Sequence, residues 1–333
     1  MHFDNIFEKG WFYKYMRLPF FITFFLFTSS LLFAQNLSKV DERVKLYPAY
    51  TQVTQIAKRI NKDYHTDIEK ARAVYSWVTK TIKYDIKEFL SGSKQYSFRY
   101  SSKEELQRKI TNRNNAIVNK TLKTRKAICD GYSKTVKKIC DLINLKCVVI
   151  SGYTKSFTTE IGRLPLGGRH AWNAILIDGK WKLIDTTWGA GYGNEQNRWI
   201  QRFDDYFFLT PPEDLINSHF PQKTKWQLLE KTYSQKEFAN FPILTPYYFK
   251  NRLHLISPKT GTLKFQNEPY FFIKFDKKNI SEDFAFAYKN DVYMTSIIPE
   301  LINNQTVLKI PAKRNTALNI IVANKVALMF QVD

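Results

Sequence analysis

Apolar residues return at helical spacing behind Thr66, where Ala71, Val74, Tyr75, Val78 and Ile82 fall on one stripe. Thr66 and Glu69 stand three apart at its head, the pattern of a capping box. An earlier helical pattern lies near Ala49–Ile60, after an extended lead-in at 35–47. Residues 91–101 are polar and aromatic around Gly92 and read as a loop. Helical character resumes from Lys103 to Leu122, with a break predicted near Asn112–Asn115. From Cys129 onward, Tyr132, Val136, Ile139, Cys140 and Ile143 share a face, so a helix starts at or just before Cys129 and stops near Asn144. "CVVISGY" then reads as a buried strand.

The next stretch, "HAWNAILIDGKWKLIDTTW", has period two. Its apolar runs flank Asp178-Gly179, a dipeptide suited to a type I′ hairpin turn. With those two as the loop, Ile177 pairs with Lys180, Trp172 with Asp185 and His170 with Thr187. Alternation then turns His170, Trp172, Ala174, Leu176, Trp181, Leu183 and Asp185 to one side. That face is apolar except for a histidine and an aspartate, diagonal neighbours roughly 7–8 Å apart at the backbone. An ionisable pair at the open end of a core hairpin points to chemistry.

After Trp188, "GAGYGN" reads as a loop, and "DDYFFLTPPEDLINSHFPQKTKWQLLE" as an aromatic segment punctuated by prolines. From Thr245 the pattern changes to short alternating runs: Leu253–Ile256, Phe271–Phe275, Phe284–Tyr288, Val292–Ile297, Val307–Ile310, Leu318–Ala323 and Val326–Val332. Seven such runs with turn signals between them predict a β-sandwich.

The N-terminus stands apart. Lys14 and Arg17 precede "LPFFITFFLFTSSLLFA", and Ala34 is followed by Gln35. These are the parts of a secretory signal peptide, with an uncleaved membrane anchor as the lesser alternative. The expected divisions are a signal peptide at 1–34, a lead-in and helix at 35–65, a catalytic domain at 66–240 and a β-sandwich at 245–333. An exported location follows: periplasm, cell surface or medium. The chain carries a formal net charge of +21, which keeps an exported protein soluble and, as the lesser alternative, suits anionic partners such as envelope polymers. Its basic residues are scattered, not gathered with aromatics in one patch, so no specific nucleic-acid partner is expected.

The three cysteines, Cys129, Cys140 and Cys147, leave at least one thiol without an internal partner. Cys140 lies on an apolar stripe and Cys147 on a strand, so both read as small buried hydrophobes, a disulfide between them being the alternative. Cys129 opens a helix, where unpaired N–H groups favour a thiolate. Cys129, His170 and Asp185 thus make a nucleophile, a base and an orienting carboxylate. Tyr84, Trp172 and Trp188 are candidates for the substrate or oxyanion neighbourhood. His219 is a competing ligand or base, with packing its simpler role; His65 and His254 need no role. No loop has the spacing of a calcium site and no His/Cys cluster that of zinc, so neither metal nor cofactor is expected.

"RKAICDGYSKTVKKIC", "RHAWNAILIDGKWKLIDTTWG" and "KARAVYSWVTKTIKYD" resemble the core motifs of the transglutaminase-like superfamily, centred on a Cys, a His and an Asp. "DYFFLTPPEDLINSHFP" and "KWQLLE" narrow the resemblance to the branch similar to kyphoscoliosis peptidase. It covers about Asp67–Glu230 and implies a papain-like α+β core, with an immunoglobulin-like β-domain after it. Many relatives have Gly where Ala127 stands. The implied chemistry is acyl transfer through a Cys129 thioester on a protein or peptide substrate: a peptidase or amidase if water accepts the acyl group, a crosslinking transglutaminase if an amine does. The rival is a catalytically silent fold acting as a cell-surface binding module.

Overall fold

The computed structural model describes residues 37–92, 96–164, 166, 168–194, 196–265, 268–276 and 283–333. The expected signal peptide and its cut lie outside these residues. The contacts divide the chain into two units, 1–48 and 49–333. In the first, α1 (37–45) is a helix where the sequence predicts an extended lead-in. Val40 and Val44, four apart on one face of this helix, are both buried. No helix among the described residues is long and apolar enough to cross a membrane.

The second unit opens with α2 (Val53–Asp63) and α3 (Asp67–Thr81). Thr66 caps α3 through the predicted box with Glu69, and Ala71, Val74, Tyr75, Val78 and Ile82 are fully buried. The chain continues through β1 (Lys83–Tyr84), α4 (Ile86–Leu90), α5 (Lys103–Thr124) and β2 (Lys126–Ala127) to α6 (Cys129–Leu142). The expected break in α5 is absent. Its asparagines each cost only about 0.7 kcal/mol relative to alanine, and no Gly or Pro interrupts the ladder. The helix ends instead at Arg125, which is left-handed at φ 58°.

The central sheet runs β8 (Phe208–Thr210), β5 (Lys180–Ile184), β4 (Arg169–Ile177), β3 (Cys147–Thr154), β9 (His219–Pro221), every neighbouring pair antiparallel. The β4–β5 hairpin has the expected register, from Ile177 opposite Lys180 to Asn173 opposite Ile184. Asp178 and Gly179 are both left-handed, at φ 48° and 75°, as the type I′ turn demands. Helix α6 packs on β3 and β4, and Asn173 of β4 donates to the Ser133 carbonyl of α6. Alternation turns Trp172 to the other face, under α7 (Pro212–Leu215), where it lines a small cavity with His219 and Trp226. The glycine-rich stretch predicted as a loop holds a hairpin, β6 (Gly191–Gly193) with β7 (Trp199–Gln201). Its turn is closed by the Asn194 side chain, which accepts from the Gln196 and Arg198 amides.

Helix α8 (Gln235–Asn240) leads into the C-terminal strands. One sheet contains, in order, β10 (Ile243–Leu244), β19 (Lys325–Val332), β18 (Thr316–Val322), β14 (Phe284–Tyr288) and β15 (Thr295–Ile297), with β12 (Thr262–Leu263) parallel to β19. The other runs β11 (Leu255–Ser257), β13 (Tyr270–Asp276), β17 (Gln305–Pro311), β16 (Glu300–Ile302). Ile273, Phe275, Leu308, Ile320 and Phe330 belong to one buried cluster shared by the two sheets. Each of the seven predicted runs contains a strand. Strands β10, β12 and β16 are too short to leave a periodic signal.

Gly152 of β3 lies opposite both His170 and Pro221. A Cβ there would collide with the Trp172 ring and the Phe220 carbonyl. Because one obstacle is backbone, Gly152→Ala is expected to cost about 1–3 kcal/mol in urea unfolding. An unchanged midpoint would show that the sheet and the indole yield freely.

Candidate active site

Cys129 is the first residue of α6 and only partly buried. Its approach is fixed by a short parallel pairing of β1 with β2, in which Tyr84 lies opposite Ala127 and the Asp85 amide donates to the Ala127 carbonyl at 2.9 Å. One turn into α6, the buried Tyr132 hydroxyl donates to the Ile82 carbonyl at 2.5 Å. Ala127, where many relatives have glycine, is a buried strand residue without a left-handed φ, so alanine fits the local path unstrained.

Asp185 follows β5 at the open end of the hairpin and is 1% exposed. Its Oδ1 accepts from the amides of Thr187 (2.7 Å) and Trp188 (3.0 Å). Its Oδ2 accepts from His170 Nε2 at 2.6 Å, joining the two residues that the hairpin register sets on one face. The same oxygen accepts from His219 Nε2 at 3.0 Å.

His170 is 8% exposed. Burial works against its charged form, but the Asp185 carboxylate and then Cys129 outweigh that, and His170 is raised to about 10. Since Nε2 faces Asp185, Nδ1 is the nitrogen left for the sulfur. Burial alone would raise Asp185, yet its two histidine partners hold it well below the usual carboxylate range. Of the three residues singled out from the sequence, His170 and Asp185 are in direct contact, and Cys129 is near enough to support the charge on His170.

The neighbouring residues divide differently. Tyr84 lies opposite Ala127 on the approach to Cys129 and is raised well above an ordinary tyrosine, by burial first and then by Cys129. Trp172 is 2% exposed and stacks against His170, ring centroids 6.0 Å apart; it backs the imidazole from within the core. Trp188 adds an amide to the Asp185 turn and packs its ring against both histidines.

Sequence reasoning placed His219 in packing, and it is indeed 1% exposed. What it missed is the bond to Asp185, because the pairing of β9 with β3 leaves no local signal. His170, Asp185 and His219 have donor atoms within 4.8 Å of one another, close enough to hold a metal ion. Here the same atoms meet each other directly in hydrogen bonds. Cys140 and Cys147 are buried free thiols. Cys147 and burial together raise the Cys140 thiol well above its ordinary value.

The Cys129 helix and the hairpin lie within residues 54–186, which match the family model of the transglutaminase-like superfamily. The chain is similar to kyphoscoliosis peptidase. The human protein of that name is 27% identical over 235 residues, which cover 70% of this chain and 33% of the human one. Hillarin of Drosophila melanogaster is 27% identical over 65% of this chain and 25% of its own length. The chain thus spans about a third or less of these relatives.

The ionisations set a pH window. His170 is raised from 6.5 to about 10, so its charged form stabilises the fold fully below pH 6.5 and that contribution is lost as pH rises toward 10. Asp185 is depressed from 3.8, so its contribution is present above that pH and is lost as pH falls through its folded value. The pair stabilises most between the two ordinary values. In urea unfolding, the wild-type midpoint is expected to fall more from pH 6.5 to 10 than that of His170→Gln. Parallel curves would mean that His170 does not carry the charge.

Proposed function

We propose that this protein is an exported cysteine enzyme that transfers acyl groups through a Cys129 thioester, acting on proteins or peptides as a peptidase or amidase. The observation that carries the reading is the His170 ring, bonded to the buried Asp185 carboxylate through Nε2 and near enough to Cys129 for the sulfur to support its charge.

In this reading the proton resides on His170. The Cys129 sulfur attacks a carboxamide or peptide carbonyl carbon, forming a C–S bond and pushing charge onto the oxygen. The intermediate collapses by breaking the C–N bond, and the amine leaves with the His170 proton. Water then attacks the thioester, giving a proton back to the ring as the sulfur is released. Cys129 is the first residue of α6, so its amide has no acceptor within the helix and can serve the oxyanion; such a donor contributes about 3–4 kcal/mol. Tyr84 is the better second donor, since Trp172 is shut into the core. An amine acceptor in place of water would make the same site a crosslinking transglutaminase.

Export rests on the basic and apolar run before Ala34. The positive charge suits an anionic envelope surface, and affinity for such a polymer should fall steeply with salt.

Iodoacetamide labelling read by peptide mass spectrometry tests the site. Cys129 should react near pH 7 faster than Cys140, Cys147 or a free thiol, and His170→Ala should slow it roughly tenfold or more. Labelling indifferent to His170→Ala would leave the fold as a silent binding module. Incubation with a mixed peptide and amine library, followed by mass spectrometry of the trapped thioester and its products, should yield acids; amide-linked adducts would instead identify a crosslinking enzyme.

A further inference from the structure

We propose that His219 is a positioning residue of this site: a neutral second imidazole that holds the Asp185 carboxylate in the orientation from which it grips His170. The proposal rests on the acyl-transfer reading above.

Two rings meet one oxygen, His170 Nε2 at 2.6 Å and His219 Nε2 at 3.0 Å from Asp185 Oδ2. An ionised carboxylate only accepts, so both nitrogens carry hydrogens. They cannot both belong to cations. One buried negative charge balances one positive ring, and the ring centroids are 5.5 Å apart. His170 has the stronger claim, because Cys129 supports its charge as well. Burial, meanwhile, pushes His219 down toward the neutral ring. A neutral His219 with hydrogen on Nε2 has Nδ1 free to accept. Ser218 Oγ stands 2.8 Å from it, nearer than the hydroxyl's other acceptor, the Leu215 carbonyl at 3.3 Å. Serine therefore fixes the tautomer that serves Asp185.

The ring is also held still. It meets Trp172 nearly edge-on at 5.2 Å and 84°, and Trp188 at 4.6 Å and 62°. A clamped donor matters because the charge on His170 changes during the reaction. When His170 gives its Nδ1 proton to the leaving amine, Asp185 loses its countercharge while still buried. The His219 N–H and the two turn amides remain in place, so the carboxylate keeps its orientation through both states of His170.

The test compares His219→Leu, His219→Gln and Ser218→Ala with wild type. The first readout is iodoacetamide alkylation of Cys129 at pH 7. The second is the proton NMR signal of the His170 Nε2 hydrogen, assigned by its loss in His170→Gln. His219→Leu should slow alkylation about tenfold, the equivalent of one hydrogen bond to a charged group, and broaden the Nε2 signal by solvent exchange. His219→Gln, which can still donate, should recover most of both. Ser218→Ala should give a smaller loss in the same direction, and decides the matter if His219→Leu does not fold. Equal behaviour of His219→Leu and His219→Gln, or a Ser218→Ala profile identical to wild type, would overturn the proposal. Fast, His170-dependent alkylation that His219→Leu leaves untouched ends the positioning role alone. A protected Nε2 signal that His219→Leu abolishes, in a protein whose Cys129 is no faster than a free thiol, keeps the positioning role and ends the acyl-transfer reading.

Discussion

A carboxylate sealed from water is the constraint to which the rest of the site answers. An ion taken out of water costs several kcal/mol unless its lone pairs are met. Asp185 meets the requirement with four donors: two amides of its own turn and two imidazoles brought by β4 and β9. Strands that are not neighbours in the sheet are thereby tied to one anion. Losing any donor leaves part of a buried charge unpaired, which is dearer than the bond itself. The arrangement is thus a condition of folding as well as of chemistry.

The turn that presents Asp185 is braced from the opposite side of the core. The Gly189 amide donates to the Asp185 carbonyl, and the Asp204 amide to the Gly189 carbonyl, at 3.0 and 2.9 Å. The buried Tyr75 hydroxyl of α3 donates to the Asp204 carbonyl at 2.5 Å, and any side chain on Gly189 would strike it. The sulfur is fixed by different means, through β1, β2 and the Tyr132 bond to Ile82. Cys129 and Asp185 are held by separate packing arrangements, and both act on the charge of the His170 ring.

What could be read in advance follows the range of the interactions. The hairpin register rests on two turn residues and strict alternation, both local, so it was legible to the residue. The start of α6 was legible because Tyr132, Val136, Ile139, Cys140 and Ile143 form an apolar stripe that begins just behind Cys129. His219 was not. Its partner is set by a three-residue strand, "HFP", joining the far edge of the sheet, and no periodicity announces such a pairing. The same holds for β10 and β12, two residues each. The expected break in α5 failed for the opposite reason, a weak local preference overruled by a continuous ladder.

The passage from core to sandwich depends on a second buried charge, handled in another way. Lys155 follows β3 and is 3% exposed. Its ammonium donates to the carbonyls of Phe238, Ala239 and Phe241 at 2.7, 3.3 and 2.7 Å, the C-terminal end of α8. A helix C-terminus offers unpaired carbonyls and partial negative charge, so three donors find three acceptors. Burial nonetheless pushes Lys155 down to about 7, with Glu160 resisting. Just beyond, Asn240 accepts from the Gly261 amide at 2.6 Å, and Ile243 enters the sandwich sheet opposite Met329. The strand that carries Gly152, beneath the histidines, is therefore linked through one ammonium to the start of the C-terminal sheets. Asp185 is satisfied by donors gathered from several strands, and Lys155 by acceptors left over at one helix end. In both, a charge too costly to leave alone obliges distant segments to meet.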